Sequence, residues 1–123
     1  MNYPNPYQVT IPSDSEYGFN ANSYAAYYQR VNIIIGGQVV AEFNGQGEDV
    51  PMTVNGGGTV YEGATRQALI ADLEFLYSPD GSSYLPSTVA FVSTVDSTVT
   101  IGTEDSNDSD NNDTRLILNT YPL

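Results

Sequence analysis

Alternation of apolar and polar side chains, the period of a pleated strand with one buried face, recurs along much of this chain. It is clearest in Arg30 to Ile35 and Gln38 to Phe43, which flank Gly36-Gly37. Two glycines between alternating runs can take the positive φ angles of a type I′ turn, so this stretch predicts a β-hairpin. Gln8 to Ile11 reads as a short strand stopped by Pro12, and residues 16 to 22 as another. Tyr24-Ala25-Ala26-Tyr27 then interrupts the pattern. Short strands are expected around Met52 to Val54 and Thr59 to Glu62, on either side of Asn55-Gly56-Gly57-Gly58. Ser87 to Val95 and Ser97 to Ile101 are β-branched and alternating, and Thr114 to Asn119 reads as a final strand. The first seven residues, with two prolines, read as an irregular arm.

Ala64 to Tyr77 fits two periods. Leu69, Leu73, Leu76 and Tyr77 recur at helical spacing, whereas Leu69, Ala71, Leu73, Phe75 and Tyr77 alternate as one face of a strand. The β-rich surroundings favour the strand, followed by a turn at Ser78-Pro79-Asp80-Gly81. About nine short strands joined by regular turns predict an all-β fold, a two-sheet antiparallel β-sandwich. At 123 residues, a single domain spanning 1–123 is expected.

Composition narrows the function. Fifteen acidic residues face three arginines and no lysine, for a net charge of -12. Such a chain is not expected to bind nucleic acid or insert into a lipid bilayer, since phosphate-rich partners require a basic surface. Cys and His are both absent, which excludes disulfides and the usual zinc sites. Met1 to Tyr7 has neither the basic nor the apolar region of a secretory signal, and no apolar run could span a bilayer. The expectation is a soluble protein, cytoplasmic or exported to the cell surface by a non-classical route.

The charge is concentrated. Residues 104 to 113 contain Glu104, Asp105, Asp108, Asp110 and Asp113, with Asn107, Asn111 and Asn112 adding amide oxygens. Two carboxylates about 5 Å apart repel by about 3 kcal/mol at an effective dielectric of about 20. A loop pinned between two strands therefore calls for cations. With many oxygens and no nitrogen or sulfur ligands, calcium is favoured over magnesium, which demands a stricter octahedron. The spacing from Asp108 begins like an EF-hand, but Asp113 stands where the sixth-position glycine belongs and Asn119 where the twelfth-position glutamate belongs. The motif is not an EF-hand.

Gly102-Thr103-Glu104-Asp105, then Asp108, Asp110 and Asn112-Asp113, followed by a strand, resembles the two-calcium fucose- and mannose-binding lectins of bacteria, the LecB or PA-IIL type. Thr10, Pro12, Gly18, Gln29, Val31-Asn32, Ala41, Phe43 and Gly45-Gln46 extend the likeness into the N-terminal half. The resemblance implies two calcium ions per subunit. Glu104, Asp108, Asp110 and Asp113 would hold one. Asp110 and Asp113 would bridge to the second, joined by the Asn112 side chain and the Tyr24 carbonyl. A neighbouring subunit would supply its terminal carboxylate, which is Leu123 if the chain is counted from Asp113. Aligning Tyr121-Pro122-Leu123 with the family's similar tripeptide instead inserts a residue and removes that ligand.

The same resemblance implies that vicinal sugar hydroxyls complete the coordination, so Glu104, Asp108, Asp110, Asn112 and Asp113 border the sugar as well as the metals. Asp105 and Asp108 would accept hydrogen bonds from it. Ala25, Ala26 and Tyr27 fall on the segment that tunes monosaccharide preference, and the paired alanines point to mannose over fucose. The implied partners are mannose- or fucose-containing glycans and further copies of the chain, as a homodimer or a dimer of dimers. An enzyme is not expected, because metal-bound carboxylates stay ionised and serve poorly as general acids, and the chain has no His or Cys. The alternative function is a structural or adhesive β-sandwich module that calcium stabilises and that binds no monosaccharide.

Overall fold

The strand that starts at Ser15 continues past the Tyr24–Tyr27 interruption, although the alternation of burial breaks there. The computed structural model of the chain describes residues 3–104 and 113–123. Its strands are β1 (Tyr7–Ile11), β2 (Ser15–Ile35), β3 (Gln38–Pro51), β4 (Thr53–Val54), β5 (Tyr61–Thr65), β6 (Leu69–Ser78), β7 (Leu85–Pro86), β8 (Thr88–Val95), β9 (Thr98–Glu104) and β10 (Thr114–Pro122). All named pairings are antiparallel. The two strands expected at 16–22 and 30–35 are one continuous 21-residue strand.

That strand belongs to both layers of the sandwich. Its first half, Ser15 to Ser23, pairs with β10, which continues to β9 and β8. Its second half, Tyr28 to Ile35, pairs with β6, which continues to β1. On its other edge β2 meets β5 and then β3. The hydrogen-bond network is therefore continuous, and the sheet nearly closes on itself. Phe19, Val31, Phe43, Leu73, Phe75, Ile101 and Leu116 fill the space between the layers, each 0–1% exposed.

Local patterning explains the elements. In β6, Ala71, Leu73 and Phe75 are buried while Ile70 is exposed, so period two prevails over the helical spacing. Pairing with β1 on one edge and β2 on the other satisfies its backbone groups. Gly36 and Gly37 take φ of 62° and 79°, as the tight hairpin turn requires. After β6, the Asp80 carboxylate accepts hydrogen bonds from the amides of Ser83 and Ser82 and from the Ser78 hydroxyl. These bonds hold it well below the usual carboxylate range. Among the described residues no helix is long and apolar enough to cross a membrane.

From Tyr3 to Pro6 the N-terminal segment is irregular, as expected, but it is docked on the sandwich. Tyr3 donates its amide hydrogen to the Val89 carbonyl at 2.9 Å. The Asn5 side chain donates to the Phe75 and Ser87 carbonyls, both at 2.8 Å, and accepts from the Phe75 amide at 3.1 Å. One carboxamide thus bridges β6 to the start of β8, adding to the backbone bond from the Ser87 amide to the Phe75 carbonyl at 3.0 Å. Asn5→Ala removes these bonds and leaves part-buried backbone groups to find other partners. It is expected to lower stability by about 1–3 kcal/mol in urea denaturation with little change in slope. An unchanged midpoint would show that the bridge contributes nothing.

Candidate functional site

Across β2, β10 and β9 the inward-facing residues form rows. Phe19, Leu118 and Val99 make one row, and Ala21, Leu116 and Ile101 the next. The row after that is Ser23, Thr114 and Thr103, three buried hydroxyls at the end of an apolar core. Thr114 donates to the side-chain oxygen of Gln29 at 2.7 Å. Among the described residues, the Ser23 and Thr103 hydroxyls have no hydrogen-bond partner. A core that turns polar at one end marks that end as a place built for polar chemistry.

The acidic segment emerges directly above this row. Glu104 is the last residue of β9 and is half-buried. Asp113, just before β10, is 2% exposed. Its amide donates to the Thr103 carbonyl at 2.9 Å, and its carbonyl accepts from the Tyr24 amide at 2.9 Å. Glu104, Asp113 and Tyr24 are thereby gathered from three parts of the chain. Their donors are all oxygens, two carboxylates and a main-chain carbonyl, which suit a hard cation and offer nothing to a soft one. Asp105, Asp108, Asp110 and Asn112 lie outside the described residues. Among the described residues alone, no group of three or more acidic side chains is positioned to hold a metal.

Residues 26–28 are a bulge. Ala25 pairs with Gly47 and Gln29 with Gly45, so three residues of β2 stand opposite Gln46 alone. The interruption in the alternation thus marks a bulge within a strand, not a strand end. Two glutamine side chains fix its backbone. Gln46 donates to the Ala26 carbonyl at 2.8 Å, and Gln29, itself 0% exposed, donates to the Tyr27 carbonyl at 3.3 Å. Ala25 turns its methyl inward and is buried, whereas Ala26 is exposed and Tyr27 is 38% exposed. The Tyr27 ring stacks on Tyr77, and Arg115 lies over the Tyr24 ring with 5.8 Å to the centroid.

Leu123 is not brought to this place. It follows the far end of β10, where its amide donates to the Asp14 carbonyl at 2.9 Å. A nine-residue strand spans about 30 Å, so the Leu123 carboxylate of one chain cannot reach Asp113 of the same chain. A cavity of ≈ 700 Å³ also lies away from Asp113. Glu16, Glu62, Asn20, Asn119 and Tyr121 surround Gly18 there, and the missing side chain at Gly18 opens the hollow. Sequence reasoning missed the supporting residues Ser23 and Thr114, and noted Gln29 and Gln46 only as matches. The signal for Gln29 was a carboxamide at an inward position of an otherwise apolar series, Gln29, Val31 and Ile33.

Residues 9–122 match the family described as Fucose-binding lectin II (PA-IIL). Among solved structures, the chain is similar to a high-affinity mannose-binding lectin of Ralstonia solanacearum, with TM-score 0.67, 23% identity and coverage of 94% of this chain and 96% of that one. It is similar to the Chromobacterium violaceum lectin CV2L, in complex with alpha-methyl-fucoside, with TM-score 0.66, 21% identity and coverage of 98% and 99%. The C-terminal domain of the BC2L-C lectin from Burkholderia cenocepacia gives TM-score 0.65 and 22% identity, covering 100% of this chain and 99% of that domain. These likenesses show a shared fold. A comparison with curated proteins found no match.

Gln29→Leu keeps the volume but strips the bulge of its anchor and leaves the buried Thr114 hydroxyl without its acceptor. It is expected to cost about 1–3 kcal/mol. A double-mutant cycle with Thr114→Val should show a coupling of about 0.5 kcal/mol or more, and strict additivity would mean that the two side chains do not support each other.

Proposed function

This chain belongs to the Fucose-binding lectin II (PA-IIL) family, and from that premise we propose that it is a calcium-dependent lectin that binds mannose and fucose, mannose preferred, through two adjacent calcium ions per subunit. As a member of a lectin family it is a carbohydrate-binding protein, not an enzyme. The observation that carries the finer reading is the hydrogen bond from the Tyr24 amide to the Asp113 carbonyl, which brings the Tyr24 segment against the end of the acidic run beside Glu104.

In this reading Glu104, Asp108, Asp110 and Asp113 surround one ion. Asp110, Asp113, the Asn112 side chain and the Tyr24 carbonyl surround the second. When bound, the ions offer coordination positions that vicinal sugar hydroxyls fill in place of water. The residues do the rest. Carboxylates shared between the ions would reduce the repulsion between them, and Asp105 and Asp108 would accept hydrogen bonds from sugar hydroxyls. Ala25, which leads into the bulge, and Ala26 and Tyr27 within it would border the sugar. Alanine supplies no hydroxyl at either position, and the similar mannose-binding lectin of R. solanacearum supports the preference for mannose. The CV2L complex with a fucoside supports fucose as the second ligand.

The proposal places the whole chain in one lectin domain and makes its assembly functional. With the terminal carboxylate about 30 Å from its own Asp113, only a second copy can donate it, as a homodimer or dimer of dimers. Titration calorimetry with methyl mannoside and methyl fucoside tests the core of this reading. Binding is expected with calcium and is abolished by a chelator. Calcium uptake with no heat from either sugar would make the chain a metal-stabilised module instead. Adding several residues after Leu123 is expected to weaken sugar binding by about tenfold or more and to weaken self-association, as for other losses around a metal site. Unchanged affinity in the extended protein would remove Leu123 from the ligand set.

A further inference from the structure

The large aromatic residues that fill the core are completely enclosed: Phe19, Phe43 and Phe75 are each 0% exposed. Tyr27 is different. It is 38% exposed, yet its ring is held in place. One face lies on the Tyr77 ring with centroids 5.9 Å apart and planes 12° from parallel. Tyr77 is itself fixed, paired with Gln29 in the β6–β2 register. The main chain under Tyr27 is tied on both sides, by Gln46 at the Ala26 carbonyl and by Gln29 at the Tyr27 carbonyl. Tyr3, Tyr28, Phe91 and Tyr121 are at least as exposed, but Tyr27 combines open surface with a near-parallel ring behind it.

We propose that the Tyr27 ring, backed by Tyr77, is a stacking platform for the second sugar ring of a disaccharide or longer glycan whose terminal mannose occupies the calcium site. This inference rests on the lectin reading above. The negative π face of a tyrosine attracts the polarised C–H bonds on the apolar face of a pyranose, and the contact also removes apolar surface from water. Because the stack on Tyr77 and the two glutamine bonds preset the ring, little conformational entropy is lost when a sugar lands on it. Position agrees with the role. Tyr27 follows Tyr24 by three residues, at most about 10 Å of chain, within the span of a disaccharide. The Tyr24 amide bonds the Asp113 carbonyl, so the main chain that carries Tyr27 starts from the end of the acidic run. The platform selects for glycan length and linkage, whereas the acidic segment selects for hydroxyl stereochemistry.

Calorimetric titration of the full chain in calcium, with methyl α-mannoside and with an α-linked dimannoside, tests the proposal through the ratio of the two affinities. In the unaltered protein the dimannoside is expected to bind roughly three- to tenfold more tightly. Tyr77→Ala, which withdraws the backing ring from outside the primary site, should reduce that ratio while the monosaccharide affinity stays the same. Tyr27→Ala should bring the ratio close to one, and Tyr27→Phe, which keeps the ring, should preserve it. A ratio near one in the unaltered protein overturns the platform and leaves the lectin reading standing. So does a ratio that survives Tyr27→Ala. Failure of both sugars to bind the unaltered protein overturns the two readings together.

Discussion

Tyr24 donates its amide hydrogen to the Asp113 carbonyl at 2.9 Å, and the end of the molecule that matters is organised around this contact. It joins β2, just before its bulge, to the chain entering β10. Ser23, Thr114 and Thr103 form a hydroxyl floor beneath it, and Gln29 reaches from the bulge to Thr114. Neither half of the arrangement is built by local sequence alone. The acidic run needs β9 and β10 to hold its ends, and the bulge needs Gln29 and Gln46 to hold its carbonyls.

Two chemistries meet at this end of the sandwich. Residues 104–113 are rich in carboxylates and carboxamides, whose oxygens suit hard cations. The bulge next to them carries an alanine pair and a tyrosine, which contribute shape and apolar surface. A net charge of -12 would disfavour a compact fold through self-repulsion. Cations drawn to the acidic run relieve the part of that repulsion concentrated at the site.

Much of the fold was legible because side-chain period reports directly on burial. The Gly36-Gly37 hairpin, the β8 and β9 pair and the strand character of β6 follow from alternation, turn residues and β-rich context. The extent of β2 was not legible. Ala25, Ala26 and Tyr27 looked like an interruption because a bulge breaks the pattern of exposure without ending the hydrogen bonding. The N-terminal arm is irregular as expected, but its docking was not legible: Asn5 holds it through a side chain, and no periodicity announces that. Glu104 and Asp113 could be read as site residues from composition. Ser23, Thr114 and Gln46 could not, since their role depends on which strands become neighbours.

The position of β10 has a consequence for how the molecule comes into being. It is the tenth strand in sequence order, yet it lies in the interior of its layer, between β9 and β2. Until it is inserted, two strands present bare edges to any passing chain. Thr114 finds Gln29 across a separation of 85 residues, and contacts of such span are slow to form because loop closure must precede them. A nascent polypeptide therefore completes this layer last, when almost all of the remaining structure already exists to receive β10.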